Sequence, residues 1–595
     1  MSPRGTKRES GGGGAAAFWL GCGVAVAVLI AFAPVWNCEF VNWDDTENFL
    51  NNTQYRGLSL THLRWMFTTV HGGPYQPLSW LTLAVDHAFW GMQPRGYHVT
   101  NLVLHAANAV LVYALALVLL SWNQAPAARG TWLPVAAAVV ALGFALHPLR
   151  VESVAWVTER RDVLSLFFLL LTVLAYLRRV DARPAKASRK WLALSLGCFV
   201  LSLLSKAWGM TLPVVLLILD AYPLRRFTSQ RDTPSRIVAE KLPFLVLAGA
   251  AMVIAVRGQF AAGEMRTLAQ YGIMARTMQS AYGLVFYLWK TLVPLNLSPV
   301  YPLRPDFDPT APFYVLCALA VVATTLVLIR LRHRWPWALS AWAGYVVIAS
   351  PVLGFVQSGP QIVADRYTYV ACLPWALLVG AALLRLASDR RPPVVVVLAA
   401  ILVMLGALTF RQTRVWTNGF TLWDHALHID PTNYVANVNR GWLQMHRGDL
   451  DGALAYYDAA LRSNPRFADA YRNRGFVRHT RGDLQGAIAD YTTSFEFDPT
   501  HAITYFNRGL ARHTLGDADG AIADYSMALQ ARAPNPQAYS NRAQLRRQRG
   551  DLAGATADFE KALQVAPSDW PARGQVEDDL RAVRAQQTRP GAAPH

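Results

Sequence analysis

Eleven apolar runs in the first 410 residues constrain this chain more than any other feature: about 18–36, 97–120, 132–147, 163–177, 191–205, 208–223, 242–256, 312–330, 336–353, 367–385 and 393–410. A bilayer core about 30 Å thick takes about 20 helical residues to cross. Inside it, backbone amides must be satisfied within the segment, so spans are helices. An all-α, multi-pass membrane domain with about eleven crossings is predicted over 17–410. Several runs are short and are expected to extend into their loops. No small-residue cleavage site follows the first run, so it reads as a retained helix rather than a signal peptide. The stretch 281–295 contains Lys290 and runs into Pro294 and Pro299. It is expected to dip into the membrane or lie on its outer surface.

Composition agrees. Of 595 residues, 53% are hydrophobic and 16% charged, against about 25% charged in soluble domains. A net charge of +18 would by itself suggest nucleic acid, but its position argues otherwise. Residues 1–410 hold 34 basic and 18 acidic side chains, and the remainder holds 22 and 20. The excess lies between apolar runs, where it sets topology. With eleven crossings and the N-terminus inside, 21 of those 34 basic residues fall on the cytoplasmic side. They include the tail residues Arg4, Lys7 and Arg8 and the clusters Arg178 to Lys190, Arg225 to Lys241 and Arg330 to Arg334. The loops at about 38–96 and 148–162 then face outward, and so does everything past 410. Nucleic acid is excluded as a partner. Cys22, Cys198, Cys317 and Cys372 lie in apolar runs and Cys38 near a loop, which predicts neither a disulfide framework nor a metal site.

Past Arg411 a period of 34 appears. Gly448, Gly482, Gly516 and Gly550 keep it, as do the following aspartates, Ala453, Ala487, Ala521 and Ala555, and Tyr457, Tyr491, Tyr525 and Phe559. Pro465, Pro499, Pro534 and Pro567 fall near unit ends. These are tetratricopeptide repeats: four units over 434–569, each a pair of antiparallel helices, stacked as an α-solenoid. Residues 411–433 read as a linker with a half-repeat (Trp423, Ala426, Pro431). Residues 570–595 read as a capping helix and loose tail, and 1–16 as a basic, Gly-rich cytoplasmic tail.

Few residues can carry chemistry. Asp44 and Asp45 follow the first run, where adjacent carboxylates near an interface are costly unless paired or used, and one could serve as a general base. A solvated turn or cap is the competing account. Glu152, just past His147-Pro148, could face the same cleft or pair with Arg150. Arg366, and Lys206 in a tight hairpin, could bind a phosphate or anchor the interface. His98, Asn101 and His105 share one helical face and must point inward; hydrogen bonding between helices is favoured there over a metal. No phosphate-cradling loop, dinucleotide fingerprint or serine-nucleophile motif is present.

Taken in order, Trp43-Asp44-Asp45, Tyr75-Gln76-Pro77-Leu78, Ala88-Phe89-Trp90-Gly91, Tyr97-His98 to His105-Ala106, His147-Pro148 to Glu152-Ser153-Val154, Leu203-Leu204-Ser205-Lys206 and Asp365-Arg366-Tyr367 resemble the transmembrane and tetratricopeptide-repeat-containing O-mannosyltransferases. These are relatives of the protein O-mannosyltransferases and other GT-C glycosyltransferases. Ala207 and Asp365 stand where the family commonly has Glu, and the repeat array is shorter than in animal members. The resemblance implies a GT-C-like membrane domain followed by the solenoid. It also implies transfer of mannose or a similar sugar from a polyprenyl-phosphate donor to Ser/Thr hydroxyls of proteins, outside the cytoplasm. Asp44, Asp45 and Glu152 would be catalytic, and Arg366 with Lys206 would bind the donor phosphate. His98, Asn101, His105, His147, Tyr75 and Tyr367 would line the cleft. No metal or cofactor is expected, and the repeats would hold acceptor proteins or a partner. Ala- and Arg-rich composition suggests a bacterial inner membrane, with the repeats periplasmic. Two alternatives stay open. One is a non-catalytic membrane scaffold. The other is an O-antigen-ligase-like oligosaccharyltransferase, whose chemistry would sit in a late external loop rather than the first.

Overall fold

A computed structural model describes residues 12–122, 132–182, 185–230, 232–263, 265, 267–268, 271–355, 359–387, 392–531 and 535–588. Arg4, Lys7, Arg8, Pro534 and the chain past Thr588 lie outside the described residues. The fold divides into two compact units, Met1–Ile429 and Asp430–His595.

In the first unit each of the eleven apolar runs carries a helix. Pro77, Pro94, Pro148, Pro312 and Pro336 each open one, where a missing N–H costs no hydrogen bond and φ is already helical. Six helices are long and apolar enough to cross a membrane: Pro94–Ser121, Val157–Asp181, Lys186–Ser205, Pro234–Ala261, Pro312–Arg330 and Val394–Val415. Two more qualify only as bent pairs. Trp132–Ala145 turns by 55° into Pro148–Ala155, and Asp365–Ala371 turns by 52° into Leu373–Leu386. A proline lies at each break, Pro148 and Pro374, where it removes the amide that would continue the helix. The three remaining runs are shorter helices, Ala15–Ala31, Ala207–Ala221 and Pro336–Ala349. Length and composition therefore give six crossings, or eight with the bent pairs, among the described residues. The chain is a membrane protein; the count of eleven does not follow from these lengths.

The segment expected as a long loop, 38–96, is largely folded. It contains helices Leu60–Thr68 and Pro77–Trp90, and its Phe49, Tyr55, Met66 and Trp80 are buried in a small core with Tyr97 and Val157. The stretch 281–295 lies within and just beyond an amphipathic helix, Ile273–Leu292, whose Lys290 ammonium donates to the carbonyls of Leu295 and Asn296 at 2.6 and 3.1 Å. A two-strand antiparallel ladder, Tyr301–Pro302 with Gln361–Val363, pairs Tyr301 with Val363.

The second unit is four helix pairs from Tyr434–His446 and Leu450–Ser463 to Pro536–Gln548 and Leu552–Val565, followed by Arg573–Gln587. Asp449, Asp483, Asp517 and Asp551 cap the second helix of each pair, accepting from Gly452, Gly486, Gly520 and Gly554 at 2.8–2.9 Å. Gly482 and its three equivalents have φ of +79° to +85°, a conformation that favours glycine. Ala487 and Tyr491 with their counterparts are fully buried. Arg474–Asp490, Arg508–Asp524 and Arg542–Asp558 repeat one bidentate ion pair within each of the last three units.

Candidate active site

The acidic pair after the first helix is split by its surroundings. Asp45 is fully buried. Its Oδ2 accepts from the Val41 amide at 3.0 Å, and its Oδ1 from the Thr158 amide and hydroxyl at 3.2 and 2.7 Å. One carboxylate thus pins its own turn to the 148–162 segment. Burial pushes the Asp45 carboxyl up to about 7, against the pull of the Thr158 and Val41 donors. Asp44 is exposed and makes no side-chain hydrogen bond among the described residues. Although its surface reaches solvent, crowding by the surrounding protein raises the Asp44 carboxyl above its ordinary value; Arg161 and Arg366 draw it down and Glu159 pushes it up.

Those charges belong to one chain of ion pairs. Glu152 accepts from the Arg366 backbone amide at 2.8 Å and from its guanidinium. Arg366 Nε lies 3.3 Å from Glu159. Glu159 accepts twice from Arg161, at 2.7 and 3.1 Å, and from Lys206 at 2.9 Å. Lys206 also reaches Asp162 at 2.5 Å, whose other oxygen accepts from Ser153 at 2.9 Å. The carboxylates are at most 4% exposed, while the Arg161 and Lys206 side chains keep 14% and 16%. The cations, with Asp44, therefore hold the accessible edge. The Lys206 ammonium sits 4.5 Å from the Trp208 ring centroid, and the Arg366 guanidinium 5.0 Å from that of Tyr367.

Two apolar cavities approach this cluster. The larger, about 350 Å³, runs along Trp208 to Pro223 against Leu115, Leu170 and Leu377, from Ser165 at one end to Arg385 at the other. The second, about 300 Å³, is bordered by Tyr75, Gln76 and Lys206, and shares Trp208 with the first. Among the described residues no group of three His, Cys, Asp or Glu side chains could hold a metal ion.

A tetratricopeptide-repeat family model matches residues 438–502, 481–536 and 506–570. The chain is 30% identical to the Homo sapiens protein O-mannosyl-transferase TMTC4 over 224 residues, 35% of this chain and 30% of that protein. It is 24% identical to Mus musculus TMTC4 over 490 residues, 74% of this chain and 66% of that one. The chain is homologous to these transferases over most of its length. Its matches span between 20% and 66% of the first relatives' own lengths. Among solved structures, a thermophilic tetratricopeptide protein of Thermus thermophilus is 24% identical, over 31% of this chain and 95% of that one, with a TM-score of 0.23.

Set beside these homologues, the residues singled out from sequence fall into two groups. Asp44, Asp45, Glu152, Lys206, Arg366 and Tyr367 come together. His98, Asn101, His105 and His147 do not line the cleft. They are at most 4% exposed and spend their polar atoms mainly on backbone. His98 meets the Glu39 carbonyl at 3.3 Å. Asn101 donates to the carbonyls of Val154 and Trp156. His105 bonds the Ala145 carbonyl and the Tyr369 hydroxyl at 3.1 and 2.8 Å. His147 bonds the Thr291 carbonyl and caps the turn at Leu149. Polar groups at membrane depth are satisfied by neighbours before they serve a ligand. Tyr75 bonds the Phe67 carbonyl at 3.1 Å and borders the second cavity. Glu152 pairs with Arg366, not Arg150, which instead reaches Thr368 at 3.1 Å. Glu159, Arg161 and Asp162 join the site without having been singled out from sequence. Their signal is a charged run, Glu159 to Asp162, at the mouth of an apolar helix, where charges must be paired or used.

Proposed function

We propose that the chain is a GT-C-type membrane glycosyltransferase that moves mannose or a similar sugar from a polyprenyl-phosphate donor to a Ser or Thr hydroxyl of a protein. The observation that carries this is the division of labour in the acidic pair. Asp45 is locked as a clamp, and Asp44 is left open beside two arginines. The homologues' name, protein O-mannosyl-transferase, supports the chemistry.

In the proposed reaction the acceptor oxygen attacks the anomeric carbon as Asp44 takes the hydroxyl proton. The bond from that carbon to the phosphate oxygen breaks, and its electron pair stays on the phosphate. Displacement in one step inverts the anomeric centre. Arg366, Arg161 and Lys206 face the charge that develops on the leaving phosphate, and their carboxylate partners hold them in place. The second cavity, apolar along Leu203, Leu247 and Ile254 with Lys206 and Trp208 on its border, suits a prenyl chain whose phosphate meets Lys206. The repeats would present acceptor segments on their concave face.

The same reading has eleven crossings, a cytoplasmic N-terminus, and the site and repeats on the outer face, periplasmic in a bacterial inner membrane. Two clusters support this sidedness. The segments assigned outside meet at Asp44, Glu152, Lys206 and Arg366. The hairpins assigned inside meet in a second one, where Arg179 and Arg226 both reach Glu240, at 2.8 and 3.0 Å, and Lys241 reaches Asp220 at 2.6 Å. The test is transfer from a labelled polyprenyl-phosphate mannose to a Ser/Thr peptide by the purified protein. Asp44→Asn is expected to lower kcat by about 10²–10⁴ with the fold intact. Wild-type transfer that survives the change would remove the base assignment.

A further inference from the structure

The repeat array carries a ladder of side chains that its own packing does not use. Asparagine recurs at Asn439, Asn473, Asn507 and Asn541, followed three residues later by Trp442, Phe476, Leu510 and Gln544. Residues three apart share one face of a helix, so the first helix of each pair shows an amide with a second group beside it. In the first three units these first helices lie against one another, more closely than the second helices do. They therefore line the concave side of the stack.

Two of the four asparagines are open. Asn439 turns back on the Val435 carbonyl at 3.0 Å. Asn541 accepts from Gln537 at 2.9 Å and donates to the Tyr525 hydroxyl at 3.4 Å. Asn473 and Asn507 are half-buried and make no side-chain hydrogen bond among the described residues. Tyr457 and Tyr491, which stand where Tyr525 does, are fully buried with hydroxyls that have no partner, so the array does not hold these two amides. Phe476, beside the first of them, is 42% exposed.

Spacing decides what fits. An open amide offers donors and an acceptor to a peptide backbone, and packed helix axes stand about 8–10 Å apart. An α-helical ligand spends its backbone groups on itself. A β-strand shows one side every second residue, at about 6.6 Å, and turns its third residue away. A polyproline II chain has three residues per turn at about 3.1 Å each, so one side recurs at about 9.3 Å, and its backbone makes no internal hydrogen bonds. It alone matches the ladder.

We infer that the concave face of the repeats binds a polyproline II segment of a partner protein. Asn473 and Asn507 donate to carbonyls three residues apart, and Phe476 and Leu510 each take one apolar side chain per turn. The other two sides of the segment stay free to carry Ser and Thr. That the segment is the sugar acceptor rests on the transferase reading; its binding does not.

The experiment is fluorescence anisotropy of the full chain in lipid nanodiscs with three labelled peptides of about 15 residues, five polyproline II turns. One repeats Leu-Pro-Ser, one alternates Leu with Thr as a strand would, and one has the composition of the first with its leucines irregularly spaced. The first is expected to bind about tenfold more tightly than either of the others. Phe476→Ala should weaken it about tenfold, and so should Asn473→Ala combined with Asn507→Ala. Asp44→Asn should bind it like the wild type, so that loss of transfer and loss of binding are separate results. Equal affinity for the alternating or the irregular peptide overturns the inference, as does wild-type affinity in Phe476→Ala. A double asparagine variant that melts lower yet binds unchanged would show that these amides hold the array and not a segment.

Discussion

Two adjacent aspartates, both raised by desolvation, differ in what they can do because Asp45 is enclosed and hydrogen-bonded while Asp44 reaches solvent. A carboxyl held near 7 when its free value is about 3.9 binds its proton more tightly in the folded protein. Its contribution to stability is fully present below about pH 4 and is lost as pH rises through 7. The thermal midpoint is therefore expected to fall between about pH 4 and 7, and to fall less in Asp45→Asn, measured by intrinsic fluorescence in detergent. Glu152→Gln tests the neighbouring ion pair. The change weakens a buried partner of Arg366 and is expected to cost about 3–5 kcal/mol, read as a lowered unfolding midpoint. An unchanged midpoint would mean that Glu159 alone holds Arg366. At this scale the sequence showed which acids were out of place but not their division of labour. Nothing in Asp44-Asp45 itself tells which carboxylate meets Thr158, 113 positions away. The helical stripe His98, Asn101, His105 showed the inward face, but not that backbone carbonyls would use it up.

Elements were legible where a period or a punctuating residue marks them. The 34-residue repeat placed every helix pair, because Gly and Asp fix the turn and Ala and Tyr fix the contact. Long apolar runs placed the membrane helices. What was missed lacks a period. Helices Leu60–Thr68 and Pro77–Trp90 are folded by a small aromatic core, and the strands Tyr301–Pro302 and Gln361–Val363 are too short to show alternation. The repeat contact makes a prediction opposite to helix propensity. Ala is the better helix former, yet a Cβ on Gly475 would lie 2.9 Å from the Tyr491 ring and 3.2 Å from the Ala487 carbonyl. Gly475→Ala should therefore destabilise the array, by about 1–3 kcal/mol. Asp483→Ala, which removes a cap, should cost about 1 kcal/mol. Urea unfolding followed by circular dichroism of residues 430–595 checks both.

For the whole molecule the informative place is the boundary. Composition changes at Arg411, and the sequence pattern opens its half-repeat at Trp423. The compact unit instead runs to Ile429, because helix Gly419–Ile429 packs into the first unit. Trp423 is fully buried. Its indole N–H donates to Asn42 at 2.9 Å, and its ring meets Trp43 edge-on at 5.3 Å. His425 bonds the Leu297 carbonyl at 2.9 Å, and the Glu39 amide bonds that of Thr417 at 2.8 Å. The residues just before Asp44 are thus clasped by residues more than 370 positions later. A fragment ending at 429 should keep the midpoint of this unit, whereas one ending at 410 loses the clasp and should unfold at lower temperature or aggregate. Trp423→Ala in the full chain should cost about 3–5 kcal/mol. Trp423→Phe, which keeps the ring contact and loses the bond to Asn42, should cost less and still lower transfer by displacing Asp44. Equal stability of the 410 and 429 fragments would return the boundary to the place where composition put it.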